Sequence, residues 1–298
     1  MAFNPNTIFL SPSSLADFEK CPQLYYLRQV YRSPKTGLKI QLANPDLVLG
    51  QNIHDILDQF LRLPAEERTK QELERIFETI WNLTSGEKGG FLSKEQEESY
   101  KSRGKAMIER FCQNKHFWQK EPVKIPGFLK RDLGEDLILV GKLDWIEKDG
   151  DGYKIVDFKT GKNEEREDSW QMPIYALLAS HILKTTKITA CWWYLDKDED
   201  LTACVLPDLE KSLAAIKQKG EIIKLARQTN SFRCQSGKES CWACRDYLAI
   251  YQGKGKLVSV DPVNRKQEIY ILNLKSQMSN VKSEENKNLI PIPDDLPF

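Results

Sequence analysis

Asp144, Asp157 and Lys159 are residues of a type and spacing that suit chemistry through a bound cation. Asp157 and Lys159 sit one residue apart in Tyr153-Lys154-Ile155-Val156-Asp157-Phe158-Lys159, a largely apolar run that reads as a strand. At a side-chain period of two they share a face. Asp144 follows Leu143 in LVGKLDWIE, whose alternation suits a half-buried outgoing strand. Lys148-Asp149-Gly150-Asp151-Gly152 supplies the turn between them, so a hairpin carries both acids at its far end. Two carboxylates and an ammonium gathered at a strand end can hold a divalent cation and activate water. A polar hairpin on a solvated sheet is the plainer alternative. It does not account for Val-Asp-Phe-Lys in an otherwise apolar strand, nor for the Thr160-Gly161 turn and the helix behind it. That helix spans Ser169 to Leu183, and Gln171 and Tyr175, four residues apart, share one of its faces.

Other elements must position this hairpin. Ser11-Pro12-Ser13-Ser14 is a helix start, and LADFEKCPQLYYLRQVYR is helical in period with an interruption at Cys21-Pro22. Ser33 to Pro45 reads as a polar loop. Leu49 to Leu57 leads into an amphipathic helix through Phe60 and Leu61, with His54 on it. Taken alone, a histidine near an apolar helix face is more often structural than ligating. Pro64 to Trp118 reads as helical with a break at Ser85 to Gly90, and Glu121 to Arg131 as a strand turning at Gly134-Glu135-Asp136. Thr189 to Leu195 is an aromatic strand, Leu201 to Leu206 its partner, and Pro207 to Thr229 a further helix. Trp192 and Trp193 cannot face the same side of a strand, so one belongs to the core.

The 298 residues are enough for one large domain or two small ones, and 40% apolar with 29% charged residues suits a globular protein. A net charge of +1 does not by itself indicate a nucleic-acid binder. Contact with DNA would have to come from a local basic patch. No run is long and apolar enough to span a bilayer, and the opening MAFNPNTIFLSPSS lacks a signal-peptide pattern, so a cytoplasmic location is the default expectation. Seven cysteines argue against a disulfide framework. Cys241-x-x-Cys244 has metal-type spacing, Cys234 stands close upstream, and Cys21 is the candidate fourth ligand from the other end of the chain. Four thiolates suit zinc or a [4Fe–4S] cluster, and thiol chemistry alone leaves that choice open. Cys112, Cys191 and Cys204 read as buried thiols.

Gly141-x-x-Asp144, then IVDFKTGK with Asp157 and Lys159, then Gln171-x-x-x-Tyr175 resembles the PD-(D/E)XK nucleases. More narrowly, it is similar to the RecB-family exonuclease branch, which includes CRISPR-associated adaptation exonucleases and AddB-type nuclease domains. Two further phrases share the resemblance: the S-x-S-x-L-x-x-F-x-x-C-P run from Ser11 to Pro22, and Gly50-x-x-x-His54. It covers residues Leu10 to Tyr247. It implies a restriction-endonuclease-like α/β core, a central mixed sheet flanked by helices, with an inserted helical segment and a disordered C-terminal tail. On this basis residues 1–251 form the nuclease domain, with a helical insertion at about 64–118 and the cysteine segment at 234–244. Residues 252–298 form an arm and an acidic tail.

The resemblance also implies roles. Asp144, Asp157, the Phe158 carbonyl and His54 would hold Mg²⁺ or Mn²⁺. Lys159 would orient water or offset transition-state charge, and Gln171 and Tyr175 would position the water or the strand. Glu121 would stand where relatives carry a glutamate. Cys21, Cys234, Cys241 and Cys244 would hold a [4Fe–4S] cluster, with Zn²⁺ as the alternative. Relatives carry their last thiols as C-x2-C-x5-C, and here the third position falls on Ile250, so Cys234 must replace it.

The expected activity is metal-dependent DNA cleavage, exonucleolytic, on single strands or ends, in repair, recombination or CRISPR adaptation. A non-catalytic DNA-binding or recruitment module is the alternative, and a zinc-stabilised structural protein a third reading. The terminal Asp-Asp-Leu-Pro-Phe resembles the acidic tip of bacterial single-stranded-DNA-binding proteins, which implies a DNA-repair partner.

Overall fold

The computed structural model describes residues 6–272. The expected disordered tail beyond Lys275 and the Asp294–Phe298 tip lie outside the described residues. In chain order the elements are β1 (Ile8–Leu10), α1 (Pro12–Lys20), α2 (Pro22–Tyr25), β2 (Lys39–Leu42), α3 (Pro45–Leu61), α4 (Lys70–Leu83), α5 (Lys94–Gln113), α6 (His116–Gln119), β3 (Leu129–Gly134), β4 (Leu137–Gly141), β5 (Trp145–Asp149) and β6 (Gly152–Lys159). There follow α7 (Gln171–Leu183), β7 (Ile188–Tyr194), β8 (Thr202–Cys204), α8 (Leu209–Gln228), α9 (Arg245–Tyr251), β9 (Gly255–Asp261) and β10 (Gln267–Leu272).

Local chemistry sets many of these boundaries. Ser11 and Ser14 form a reciprocal capping box at the start of α1, each hydroxyl accepting the other's backbone N–H, with Pro12 at the first helical position. Such a cap contributes about 1 kcal/mol. Cys21 is extended, and Pro22 restarts the helix, as its missing N–H requires. Asn44, Thr69, Ser93 and Asp208 cap α3, α4, α5 and α8 through side-chain oxygens.

The described strands form three small sheets, ordered β1-β4-β3, β5-β6-β7-β8 and β2-β10-β9. The second is mixed: β6 and β7 run parallel, with Asp157 opposite Trp192 and Phe158 opposite Trp193, while β5 and β8 pair antiparallel at its edges. Alternation along β6 sorts two cores. Ile155 packs with α1, α7 and α8 on one side. Val156 and Phe158 pack with Trp193 and the helices α3, α4 and α5 on the other. Both tryptophans are thus buried, on opposite faces. Burying a side chain such as Phe158 contributes about 2–3 kcal/mol. A third cluster gathers Cys21, Leu24, Leu27, Ile40, Cys244 and Ile250.

Four sequence expectations change. LVGKLDWIE is not one strand. It breaks at Lys142-Leu143-Asp144, so β4 joins one sheet and β5 another. Gly141 at the break lies so close to α7 that a Cβ there would stand 2.9 Å from Leu178 Cδ1, and alternation alone carries no sign of that contact. The strand expected over Glu121–Arg131 begins only at Leu129. Upstream, the chain lies irregularly along β5, with the Val123 N–H donating to the Ile146 carbonyl at 2.8 Å. The Ser33–Pro45 loop contains β2, which exists because β10 pairs with it from the far end of the chain. Cys112, Cys191 and Cys204 are half-buried rather than buried.

Candidate active site and cysteine centre

Asp157 and Lys159 leave β6 on the face that meets α7. Asp157 is buried at 1% exposure. Its Oδ1 accepts from Gln171 Nε2 at 2.7 Å, and Lys159 Nζ stands 3.2 Å from its Oδ2, an atom buried without a hydrogen bond. Gln171 ties the group together. Its Oε1 accepts from Lys159 Nζ at 2.5 Å, and its Nε2 also reaches Tyr175 Oη at 3.2 Å. The helical spacing expected to place Gln171 and Tyr175 on one face does so. Lys159 is further held by Glu165 Oε2 at 2.7 Å and lies over the Trp192 ring, 4.4 Å from its centroid.

Asp144 occupies the break before β5. Its Oδ2 accepts the Phe158 N–H at 3.0 Å, which fastens it to β6, and its Oδ1 lies 3.0 Å from His54 Nδ1 on α3. His54, Asp144, Asp157, Lys159, Gln171 and Tyr175 therefore form one chain of contacts linking α3, the break before β5, β6 and α7. Glu121 is not part of that chain. It pairs with the buried Arg68 at 3.0 Å.

The electrostatics follow from burial. Desolvation, reinforced by the Asp144 charge, pushes the Asp157 carboxyl up to about 7. Burial opposes charge on His54, but the Asp144 carboxylate and its hydrogen bond prevail and raise the ring to about 9. Asp144 is likewise penalised by burial, yet His54 and the Phe158 N–H hold its carboxyl below the usual range. Burial and the nearby Asp157 charge keep the Tyr175 phenol protonated far above its ordinary range. Two neighbouring carboxylates that repel one another, Asp157 buried and Asp144 half-buried, can share a cation. With the imidazole they are donors of the kind Mg²⁺ or Mn²⁺ takes, although among the described residues only the four cysteine sulfurs gather within 4.8 Å of one another.

Two positioning residues were not visible in the sequence. Glu165 lies in an unpatterned polar run, and its N–H is fixed by Tyr194 Oη at 2.9 Å. Arg103 on α5 donates to the Thr160 carbonyl at 3.0 Å and to both Asp196 oxygens at 3.0 and 3.1 Å, clamping the turn after Lys159.

The four expected cysteines meet where α1 ends. One sulfur from each of Cys21, Cys234, Cys241 and Cys244 lies within 4.8 Å of every other. Cys244 Sγ is 3.7 Å from Cys241 Sγ and 3.8 Å from Cys234 Sγ, and the Cys241 N–H donates to Cys244 Sγ at 3.2 Å. Ile250, at the position where the resemblance implied a thiol, packs into the apolar cluster beside them. This arrangement can bind a metal ion or an iron–sulfur cluster. Among the described residues no helix is long and apolar enough to cross a membrane.

The profile of the PD-(D/E)XK nuclease superfamily matches residues 9–246, and the chain belongs to that superfamily. The chain is 27% identical over 187 residues to the B-type subunit of the ATP-dependent helicase/deoxyribonuclease of Alkaliphilus metalliredigens, across 53% of this chain and 16% of that protein. It is 27% identical over 188 residues to the protein of the same name from Clostridium perfringens strain SM101, across 54% of this chain and again 16% of the relative. The chain thus spans about a sixth of the length of the curated relatives it matches. A crystal structure of a candidate exonuclease from Eubacterium rectale aligns over 89% of this chain and 97% of its own, with a TM-score of 0.48 and 12% identity.

Proposed function

We propose that this chain is a divalent-metal-dependent deoxyribonuclease, an exonuclease acting on single-stranded or end-containing DNA. The observation that carries the reading is the convergence of His54 and Asp144 with Asp157, Lys159 and Gln171 at the end of β6. Superfamily membership supports nuclease chemistry. The deoxyribonuclease in the relatives' name supports DNA as the substrate, and only that part of their activity is carried over.

Asp144, Asp157, His54 and the Phe158 carbonyl would hold Mg²⁺ or Mn²⁺, which when bound polarises a phosphate oxygen and acidifies a water. The protein's own groups do the rest. His54 must give up the proton on Nδ1 to become a ligand. Lys159, charged and fixed between Asp157, Glu165 and Gln171, offsets negative charge developing on the phosphoryl oxygens. The Gln171 amide donates to Asp157 and Tyr175 and accepts from Lys159, and so holds these three groups in register around the water or the strand. Tyr175 stays protonated and acts as a donor.

The cysteine centre is read as the site of a [4Fe–4S] cluster, with a single tetrahedral Zn²⁺ as the second reading. Metal–sulfur bonds of about 2.3 Å set tetrahedral thiolates about 3.8 Å apart. The sulfur separations of 3.7 and 3.8 Å support that geometry.

The test is cleavage of a labelled single strand with Mg²⁺, Mn²⁺ and EDTA. Asp157→Ala and Lys159→Ala are expected to abolish cleavage while circular dichroism shows the fold retained. Metal-dependent cleavage by either purified variant rejects the assignment.

A further inference from the structure

A groove of about 400 Å³ leads away from Asp144, between the C-terminal turns of α3 and the irregular segment upstream of β3. One wall carries Asp58, Arg62 and Lys142, and the other runs from Glu121 to Gly127. The geometry points to a phosphate subsite in which Arg62 and Lys142 hold the backbone of the same DNA strand that is cut at Asp144 and Asp157. It rests on the nuclease reading and adds two positioning residues to it.

The placement follows from the helix. His54, Asp58 and Arg62 are spaced by four and share one face of α3. Four helical residues rise about 6 Å, so Arg62 lies about 12 Å along the axis from His54, within reach of a phosphate a short way along the strand. Lys142 joins this line from the opposite side, because the break after Gly141 turns it out of β4 two residues before Asp144.

The charge balance favours an anion. Asp58 Oδ2 lies 2.9 Å from Arg62 Nη2 and 3.1 Å from Lys142 Nζ, so one carboxylate answers two cations. Lys124 adds a third on the facing wall. The other acids lining the groove are engaged elsewhere: Glu121 by the buried Arg68 and Asp144 by His54. Arg62 and Lys142 are 66% and 43% exposed, so their pairs with Asp58 are weakly held and yield to a phosphate. Asp58 keeps the two cations extended and aimed into the groove in the free protein. Between the walls, Val123, Ile125 and Leu143 are half-buried and offer an apolar surface to the sugar and base. The Val123 N–H to Ile146 carbonyl bond holds that wall against β5.

The experiment is fluorescence anisotropy of labelled oligothymidylate with the full chain in EDTA over a salt series, paired with steady-state cleavage in Mn²⁺. Arg62→Ala and Lys142→Ala are each expected to weaken binding about tenfold at low salt. Each should also reduce the slope of log affinity against log salt by about 0.7. The effect on cleavage falls on KM rather than kcat. Asp58→Asn releases both cations and tightens binding. Arg62→Lys and Lys142→Arg keep the charge and retain most of the affinity, which separates phosphate contact from a packing role. Wild-type protein that cleaves, with a double variant of unchanged KM and salt slope, overturns the subsite. Wild-type protein that binds with the expected slope but cleaves under no metal overturns the nuclease reading and leaves the subsite standing.

Discussion

Gly50 and Thr160 approach so closely that a Cβ on Gly50 would stand 2.9 Å from Thr160 Oγ1. Gly50 lies one helical turn before His54 on α3, and Thr160 directly follows Lys159 at the end of β6. The helix therefore crosses the strand end so closely that a side chain at position 50 must push the Thr160 hydroxyl aside. That crossing brings His54 to Asp144. Alanine is ordinarily better than glycine inside a helix by about 0.5–1 kcal/mol. Here the contact opposes that gain. Gly50→Ala is expected to displace α3 and lower the cleavage rate about tenfold, and Gly50→Ala/Thr160→Ala to recover most of it. Rates and thermal melts of the single and double variants check the coupling.

Asp157 is the most costly group at the site, because it is buried, faces a second carboxylate and has an oxygen with no hydrogen bond. Its carboxyl, ordinarily near 3.8, titrates at about 7 in the folded chain, so folding favours the protonated form. The stability this group confers is full below its ordinary value and is lost as pH rises through 7. His54, raised from 6.5 to about 9, acts in the same direction across the next two units. Asp144, held low, acts in the opposite sense and only at the acid end. Metal-free protein should therefore melt at a lower temperature at pH 8 than at pH 6. Asp157→Asn should flatten this trend and raise the melting temperature in EDTA, though it is inactive. A wild-type melting temperature that rises from pH 6 to pH 8 in EDTA would count against the electrostatics described.

Gln171 holds Asp157 and Lys159 in one plane of contacts through the two ends of a single amide. Gln171→Glu removes the donor and puts a third carboxylate beside Asp157. Gln171→Ala removes both contacts. Losses of about 100-fold for Glu and about 10-fold for Ala are expected in kcat, with smaller effects on oligonucleotide affinity. A glutamate variant as active as wild type would remove Gln171 from the machinery.

The cysteine centre closes a long loop of the chain, from Cys21 to Cys234. A cross-link of that span stabilises by on the order of 4 kcal/mol in the chain-entropy view. Cys244→Ser is expected to lose the metal and to lower the melting temperature by on the order of 10 °C. A colourless purified protein containing one zinc per chain would indicate Zn²⁺. A brown protein absorbing broadly near roughly 400 nm would instead indicate iron–sulfur.

Much of the site was legible because it depends on local geometry. A period of two places Asp157 and Lys159 together, and a period of 3.6 aligns Gln171 with Tyr175. Ser11 and Ser14 cap α1 within four residues of chain. These relationships are properties of the backbone and need no tertiary partner. The meeting of His54, on a helix before the long helical segment, with Asp144 after it is not local. Resemblance suggests it, and a 3.0 Å contact between the two side chains makes it.

Other relationships had no sequence signature. One acid in the polar run after Gly161 pairs with Lys159, and the sequence does not distinguish Glu165 from its acidic neighbours there. The pairing of β2 with β10, the strand break at Lys142 and the sharing of Asp58 between Arg62 and Lys142 each join residues from separate elements. Residue types and spacing determined the chemistry available to this chain and the short-range geometry of each motif. Tertiary packing decided which side chains meet, because those contacts depend on how helices cross strand ends, and periodicity does not encode a crossing.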